Sequence, residues 1–244
     1  MNLNLPPLSP VLVPPWLIVD LGGPFRVLSW ALANGGMTTA HRLAWREVRN
    51  RDLPPQVDPC QWLRSAAGSA GLDDAVTLVT SHPLDRHRVT RATAEGYTVE
   101  AVATVGLGNA ERVGGRKSPP TSHLSRETSP APFPAGTVNI GVRISCGLTD
   151  SALVEAVSIV ASARTAAILD ARIPIATRTT ESPHWATGTG TDCIAVAAPP
   201  GSQAYCGLHT PLGEALGRAV YDGVRRGAEA WKEDWIRTVE RDPA

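Results

Sequence analysis

The sequence predicts an α/β protein: a mixed β-sheet with helices packed on it, folded as a single domain over residues 1–244. Two observations predict it. Short alternating or continuously apolar runs recur, such as YTVEAVATVG at 97–106 and DCIAVAAP at 192–199. Between them lie segments with helical spacing: Leu153, Val157, Val160, Ala167 and Ile168, then Leu212, Leu216, Val220, Val224, Ala228, Trp231 and Trp235. A chain of 244 residues also allows two small domains, but it is long enough for one sizeable core.

The elements follow in order. The N-terminal stretch MNLNLPPLSPVLVPPWLIVDLGG is apolar, yet it lacks a basic region and prolines interrupt it. Neither a signal peptide nor a membrane span is expected there. A short strand pair near Val11–Val13 and Trp16–Val19 is expected instead. RVLSWALANGG reads as a strand ending in an Asn-Gly-Gly turn. DPCQWLRSAAGSAG opens a helix with Asp58 as N-cap, Pro59 at the first helical position and Gln61 closing a capping box, and Gly71 ends it. AVTLVTS at 75–81 is a strand, and Asp85 to Glu95 is expected to be a helix stopped by Gly96. The arginines from Arg86 to Arg91 would then line a solvated helix face. TVNIGVRIS at 137–145 is a further strand. The segment 114–136, GGRKSPPTSHLSRETSPAPFPAG, buries too little apolar surface to offset its ordering entropy and reads as a flexible loop inside the domain. Trp231 and Trp235 continue an apolar stripe and are expected in the core.

The totals exclude some classes of function. The chain carries 23 basic and 23 acidic residues, so no net charge draws it to nucleic acid or an anionic membrane. Cys60, Cys146, Cys193 and Cys206 show no paired or metal-ligand spacing. A reducing, cytoplasmic setting is the default expectation. One internal echo, CGLTDSAL at 146–153 and CGLHTPLG at 206–213, suggests two helix N-termini presented by similar turns.

Two stretches carry candidate chemistry. ATGTGTDCIAVAAP at 186–199 lacks the lysine of a phosphate-binding P-loop and the third glycine of a dinucleotide fingerprint, and a strand follows it rather than a helix. What remains is a turn with three hydroxyls and Asp192. Its amides suit an oxyanion site; equally, Asp192 suits a polar turn whose hydrogen bonds it accepts. In GLHTPLGEALG at 207–217, Thr210 is an N-cap and Pro211 the first helical residue. His209 and Glu214 then occupy the staple positions, an imidazole and a carboxylate where apolar residues are usual. That pair suits acid–base work; alternatively Glu214 only complements the helix dipole. No H-E-x-x-H spacing supports a metal site, and no G-x-S-x-G elbow supports a serine nucleophile. Cys146 and Cys206 precede helix starts, which can lower a thiol pKa, although a buried free cysteine is commoner.

Taken together, RVLSWALANGG, ATVGLGNAERVG at 103–114, TVNIGVRISCGLTDSALVEAV at 137–157, ATGTGTDCIAVA and GLHTPLGEALGRAVYDGV at 207–224 resemble the adenosylcobinamide amidohydrolase (CbiZ) family. The resemblance implies a corrinoid substrate. It also implies hydrolysis of the amide between the corrin propionyl side chain and aminopropanol, giving adenosylcobyric acid for cobamide salvage. No cofactor is expected, since the cobalt belongs to the substrate, and no protein-bound metal is expected. Arg164 stands where the family's pattern has lysine, and the loop at 114–136 is extended.

The expectation is that the Asn34-Gly35-Gly36 turn, the Thr104–Asn109 segment, the Thr-Gly loop and the His209 turn converge on one cleft. Glu214 or Asp192 would activate water, and His209 would protonate the departing amine. Amides of Thr187 to Thr191, with Asn109, would hold the oxyanion. Asn34, Gly35, Thr104, Asn109, Asn139, Thr187, Thr189 and Thr191 would bind substrate. Two rival readings stay open: a non-catalytic corrinoid-binding module, and an amidohydrolase for a different amide. A homo-oligomer is compatible with either.

Overall fold

The computed structural model describes residues 3–49, 52–53, 56–115, 136–175 and 185–241. All but three residues of the Pro/Ser-rich segment at 114–136 lie outside them: Gly114 and Gly115 are described, as is Gly136. His123 and His184 also lie outside the described residues.

In chain order the elements are β1 (Val11–Val13), β2 (Trp16–Ser29), β3 (Gly36–Glu47), α1 (Pro59–Ser69), β4 (Ala75–Thr80), β5 (Arg88–Ala94), β6 (Tyr97–Val105), β7 (Ala110–Glu111), β8 (Val138–Ile144), α2 (Asp150–Ala171), β9 (Gly188–Thr189), β10 (Cys193–Ala198) and α3 (Pro211–Arg241). The main sheet runs β4-β3-β2-β10-β8-β6-β5, with β1 added to β2. It is mixed: β3 with β4 and β8 with β10 are parallel, and the other pairs are antiparallel. β7 and β9 form a separate two-stranded ribbon.

Local chemistry explains most boundaries. Asp58 caps α1 by accepting hydrogen bonds from the Cys60 and Gln61 amides at 2.8 and 3.3 Å. Thr149 caps α2 by accepting from Ala152 N, and Thr210 caps α3 by accepting from Gly213 N at 2.9 Å. The echoed CGL turns therefore do open two helices.

The expected helix over Asp85 to Glu95 is a correction. A single 3-10 turn covers Leu84–Arg86, and β5 follows it. Glu95 and Gly96 both take positive φ, 44° and 86°, which makes the tight turn of a β5–β6 hairpin. Gly96 ends a strand, not a helix. Val89, Thr90 and Thr93 are β-branched and suit the pleated surface.

The two sheet faces bury different partners. On one, Val99, Ala101, Ala103 and Val105 of β6, with Val138, Ile140 and Val142 of β8, meet α2 and α3. α2 is long and apolar enough to cross a membrane by length and composition. Here Leu153, Val160, Ala167 and Ile168 are buried in the core between sheet and α3. Trp231 packs at the edge of that core, stacked on Trp235 with ring centroids 6.2 Å apart.

The opposite face is concave. Leu43 and Trp45 of β3 reach across it to β8. A Cβ on Gly141 would stand 2.5 Å from the Trp45 ring, so glycine is what lets the sheet close over itself there. Asn139 Nδ2 donates to the Val79 carbonyl at 2.7 Å and ties β8 to β4 across the same space. At one end of this face the Arg143–Glu100 ion pair is buried, and Leu8 N donates to Glu100 Oε1 at 2.9 Å. The N-terminal segment thus covers that end. The other end holds the polar residues described next.

Candidate active site

Asp192 sits immediately before β10, and its carboxylate is enclosed by donors from three parts of the chain. Val138 N and Thr189 N donate at 3.0 Å each, Thr189 Oγ1 donates as well, and Arg164 Nη1 lies at 3.2 Å. Both oxygens are therefore engaged. Gly188 is required by this arrangement, because a Cβ there would stand 2.5 Å from Asp192 Oδ2. Burial pushes the Asp192 carboxyl above its ordinary range, while Thr189, Arg164 and Val138 pull in the opposite sense. Arg164 supplies the positive charge facing this carboxylate.

Neighbouring hydroxyls extend the network. Thr191 Oγ1 and Thr137 Oγ1 are 2.7 Å apart. Thr187 N donates to the Glu111 carbonyl, and its Oγ1 accepts from Val113 N at 2.7 Å. The β7–β9 pairing, Ala110 with Thr189 and Glu111 with Gly188, brings the segment after Asn109 onto the Thr-Gly loop.

One residue away the concave face begins. Thr104, Asn139 and Cys193 lie side by side in register on β6, β8 and β10. Thr104 and Asn139 are fully buried, yet Thr104 Oγ1 and Asn139 Oδ1 have no hydrogen-bond partner, and neither has Asn109 Oδ1. Buried polar atoms nearly always find partners, so two unpaired ones in adjacent register positions call for a water or another polar group between them. His82 stands at the same end: its Cβ lies 3.2 Å from where a Gly106 Cβ would be, beside Gly136 and Thr137. Burial lowers the His82 pKa to about 4, and Arg86 adds to the effect, so the imidazole is neutral at pH 7. Ser29 Oγ donates to the Ile194 carbonyl at 2.8 Å and lies 3.8 Å from Cys193 Sγ.

The expected convergence is met only in part. Thr104, Asn109, Asn139, Thr187, Thr189, Thr191 and Asp192 gather at one end of the sheet. Asn34 and Gly35 shape the β2–β3 loop nearby: both Asn34 Nδ2 protons are spent on the Asp73 and Ala75 carbonyls at 2.8 Å. A Cβ on Gly35 would stand 2.3 Å from the Ala31 carbonyl oxygen. His209 and Glu214 lie at the opposite end. β10 separates Asp192 from the turn before α3, a span of roughly 20 Å for a six-residue strand. Beyond that strand Leu148 N donates to the Pro199 carbonyl, and Cys206 N donates to Glu155 of α2. The staple also fails to pair: Glu214 bonds Arg218 four residues on, at 3.2 Å, and both are exposed. His209, Glu214 and Tyr221 instead border a groove of about 600 Å³ between α2 and α3.

The cysteines near helix starts are not activated. Burial pushes the Cys206 thiol up to about 12, with Glu155 adding to it, and burial also raises Cys146. Among the described residues no group of three or more His, Cys, Asp or Glu is placed to hold a metal ion. Sequence reading passed over Thr137, His82 and Trp30. Thr137 adjoins Val138 in a recognised strand, but nothing local marks the other two.

A mixed sheet whose one end offers neutral, unpaired donors and acceptors suits an uncharged polar group, and the comparisons supply the class: this is a hydrolase acting on an amide. A family profile described as adenosylcobinamide amidohydrolase (CbiZ) matches residues 11–235. An adenosylcobinamide amidohydrolase of Halobacterium salinarum is 30% identical over 201 residues, covering 81% of this chain and 78% of that protein. An uncharacterized protein of Methanocaldococcus jannaschii is 41% identical over 91 residues, covering 36% of this chain and 34% of that protein. The chain belongs to the adenosylcobinamide amidohydrolase family, whose substrate is a corrinoid.

Proposed function

We propose that this chain hydrolyses the amide joining the corrin propionyl side chain to aminopropanol in adenosylcobinamide, releasing adenosylcobyric acid and aminopropanol. The observation that carries the site is the unpaired pair, Thr104 Oγ1 and Asn139 Oδ1, buried in adjacent register positions. A secondary amide offers one acceptor and one donor. Thr104 Oγ1–H donates to its carbonyl oxygen, and Asn139 Oδ1 accepts its N–H. As water attacks, charge grows on that oxygen and the Thr104 bond strengthens. Neutral His82 on the rim accepts the proton of the attacking water and gives it to the aminopropanol nitrogen as the C–N bond breaks, so the amine leaves neutral and the imidazole is regenerated. Asp192 is a positioning residue: it locks the Thr187–Thr191 loop against β8 and so fixes Asn139. Hydrolysis consumes only water, so no cofactor is proposed; buried free thiols suit a reducing cytoplasm.

The test is incubation of purified protein with adenosylcobinamide, followed by mass spectrometry for adenosylcobyric acid. Thr104→Val is expected to lower kcat about 100-fold, the usual effect of losing one oxyanion donor. Asn139→Ala is expected to raise KM and lower kcat. Activity in both is expected to be indifferent to a chelator, as in the wild type. Wild-type turnover by both variants would refute the site.

A second reading places catalysis at His209 and Glu214, favoured by the groove beside them. On that reading His209→Ala and Glu214→Ala abolish turnover in folded protein, while Thr104→Val leaves it intact.

A further inference from the structure

Thr104 and Asn139 are fully buried, so a substrate group reaches them only where the side chains above them move apart, which favours a slender arm. On the proposed function, that arm is the propionamide side chain, and the macrocycle stays outside on the rim. The rim carries large apolar side chains left in solvent. Trp30 is 51% exposed and Val113 is 81% exposed. Both are anchored to the Thr-Gly loop, one towards each end of it. Trp30 Nε1 donates to the Asp192 carbonyl at 2.7 Å, and Val113 N donates to Thr187 Oγ1 at 2.7 Å. Leu32, 42% exposed, follows Trp30 in the β2–β3 connection, and Met37, 45% exposed, stands at the start of β3.

The Trp30 bond has two consequences. It satisfies the only polar group of the indole, leaving apolar ring surface for a ligand. It also fixes the ring against the residue that orders Val138, the neighbour of Asn139. A rigid, half-exposed aromatic held on the loop that covers Thr104 and Asn139 suits a large, flat, conjugated ligand carrying a slim amide arm.

We propose that Trp30 and Val113 form the platform on which the corrin macrocycle rests while its amide arm reaches Thr104 and Asn139. Trp30 is thus a specificity-determining residue: it selects amides borne on a macrocycle. This rests on the proposed reaction, and the experiment separates the two. The Kd for adenosylcobinamide is measured by equilibrium dialysis, and kcat at saturation is measured alongside, for wild type, Trp30→Ala and Trp30→Phe. Trp30→Ala is expected to weaken binding by roughly tenfold or more, as loss of a central aromatic anchor does. Its kcat at saturation stays near the wild-type value. Trp30→Phe, which keeps an aromatic face without the indole N–H, is expected to retain most of the affinity. Wild-type affinity in Trp30→Ala overturns the platform and leaves the reaction standing. Equal losses in the Ala and Phe variants also overturn it, because the N–H tether rather than the ring surface would then matter. Wild-type protein that binds adenosylcobinamide but releases no aminopropanol refutes the reaction and keeps the platform; failure to bind it at all overturns both.

Discussion

Acidification tests how His82 is held. Its backbone N–H donates to Thr80 Oγ1 at 3.0 Å, which fixes the turn after β4, and burial leaves the imidazole poorly solvated. In the unfolded chain the ring takes up a proton near 6.5; in the folded protein it does so only near 4. Between those values the unfolded state binds more protons, so stability rises with pH through the window and is lost as pH falls. At about 1.4 kcal/mol per pH unit, the full interval amounts to roughly 3 kcal/mol. That is a large share of the roughly 5–15 kcal/mol that holds a typical domain. Urea unfolding at about pH 7 and about pH 4.5 measures it, and His82→Gln isolates it from the carboxylates titrating nearby. The wild type is expected to lose roughly 2–3 kcal/mol more than His82→Gln between the two pH values. Equal losses would show that His82 is as well solvated in the fold as in the unfolded chain. Its neutrality at the candidate site would then need another cause.

Two further outcomes follow from buried charge. Asp192→Asn replaces one acceptor oxygen by an NH₂ group, so donors on one side of the cage lose their partner and Arg164 loses its counter-charge. A loss of about 3 kcal/mol in unfolding free energy is expected, with faster amide exchange at Thr189 and Val138. Glu100→Ala leaves the Arg143 guanidinium, 3% exposed, without its carboxylate and releases the Leu8 amide. It is expected to cost about 3–5 kcal/mol and to expose the N-terminal segment to limited proteolysis, while Arg143→Met with Glu100→Leu recovers much of the stability.

The boundaries most legible in the sequence were those set by neighbours in the chain. Asp58, Thr149 and Thr210 cap helices because an N-cap needs only a side chain and an amide two or three residues on. The α2 and α3 stripes were readable for the same reason, since periodicity decides which face is buried. Asp85 to Glu95 was misread because a two-residue turn at Glu95–Gly96 and a helix stop leave similar marks, and pairing with β6 settled it. Within the Thr-Gly loop, the sequence showed a turn whose Asp192 would accept local amides, and Thr189 is one of them.

What the chain order determined by itself is the element inventory, the caps and the chemistry each loop carries. Only the tertiary structure decided which loops meet. Parallel pairing of β8 with β10 sets Val138 beside Asp192, and curling of the sheet over Gly141 brings β4 to Asn139. The same pairing sends the chain the length of β10 before the His209 turn, so two motifs 17 residues apart in sequence end at opposite edges. The physical reason is that capping and periodicity act over a few residues, whereas strand order and sheet curvature are set by burial of whole faces. No local pattern encodes that burial.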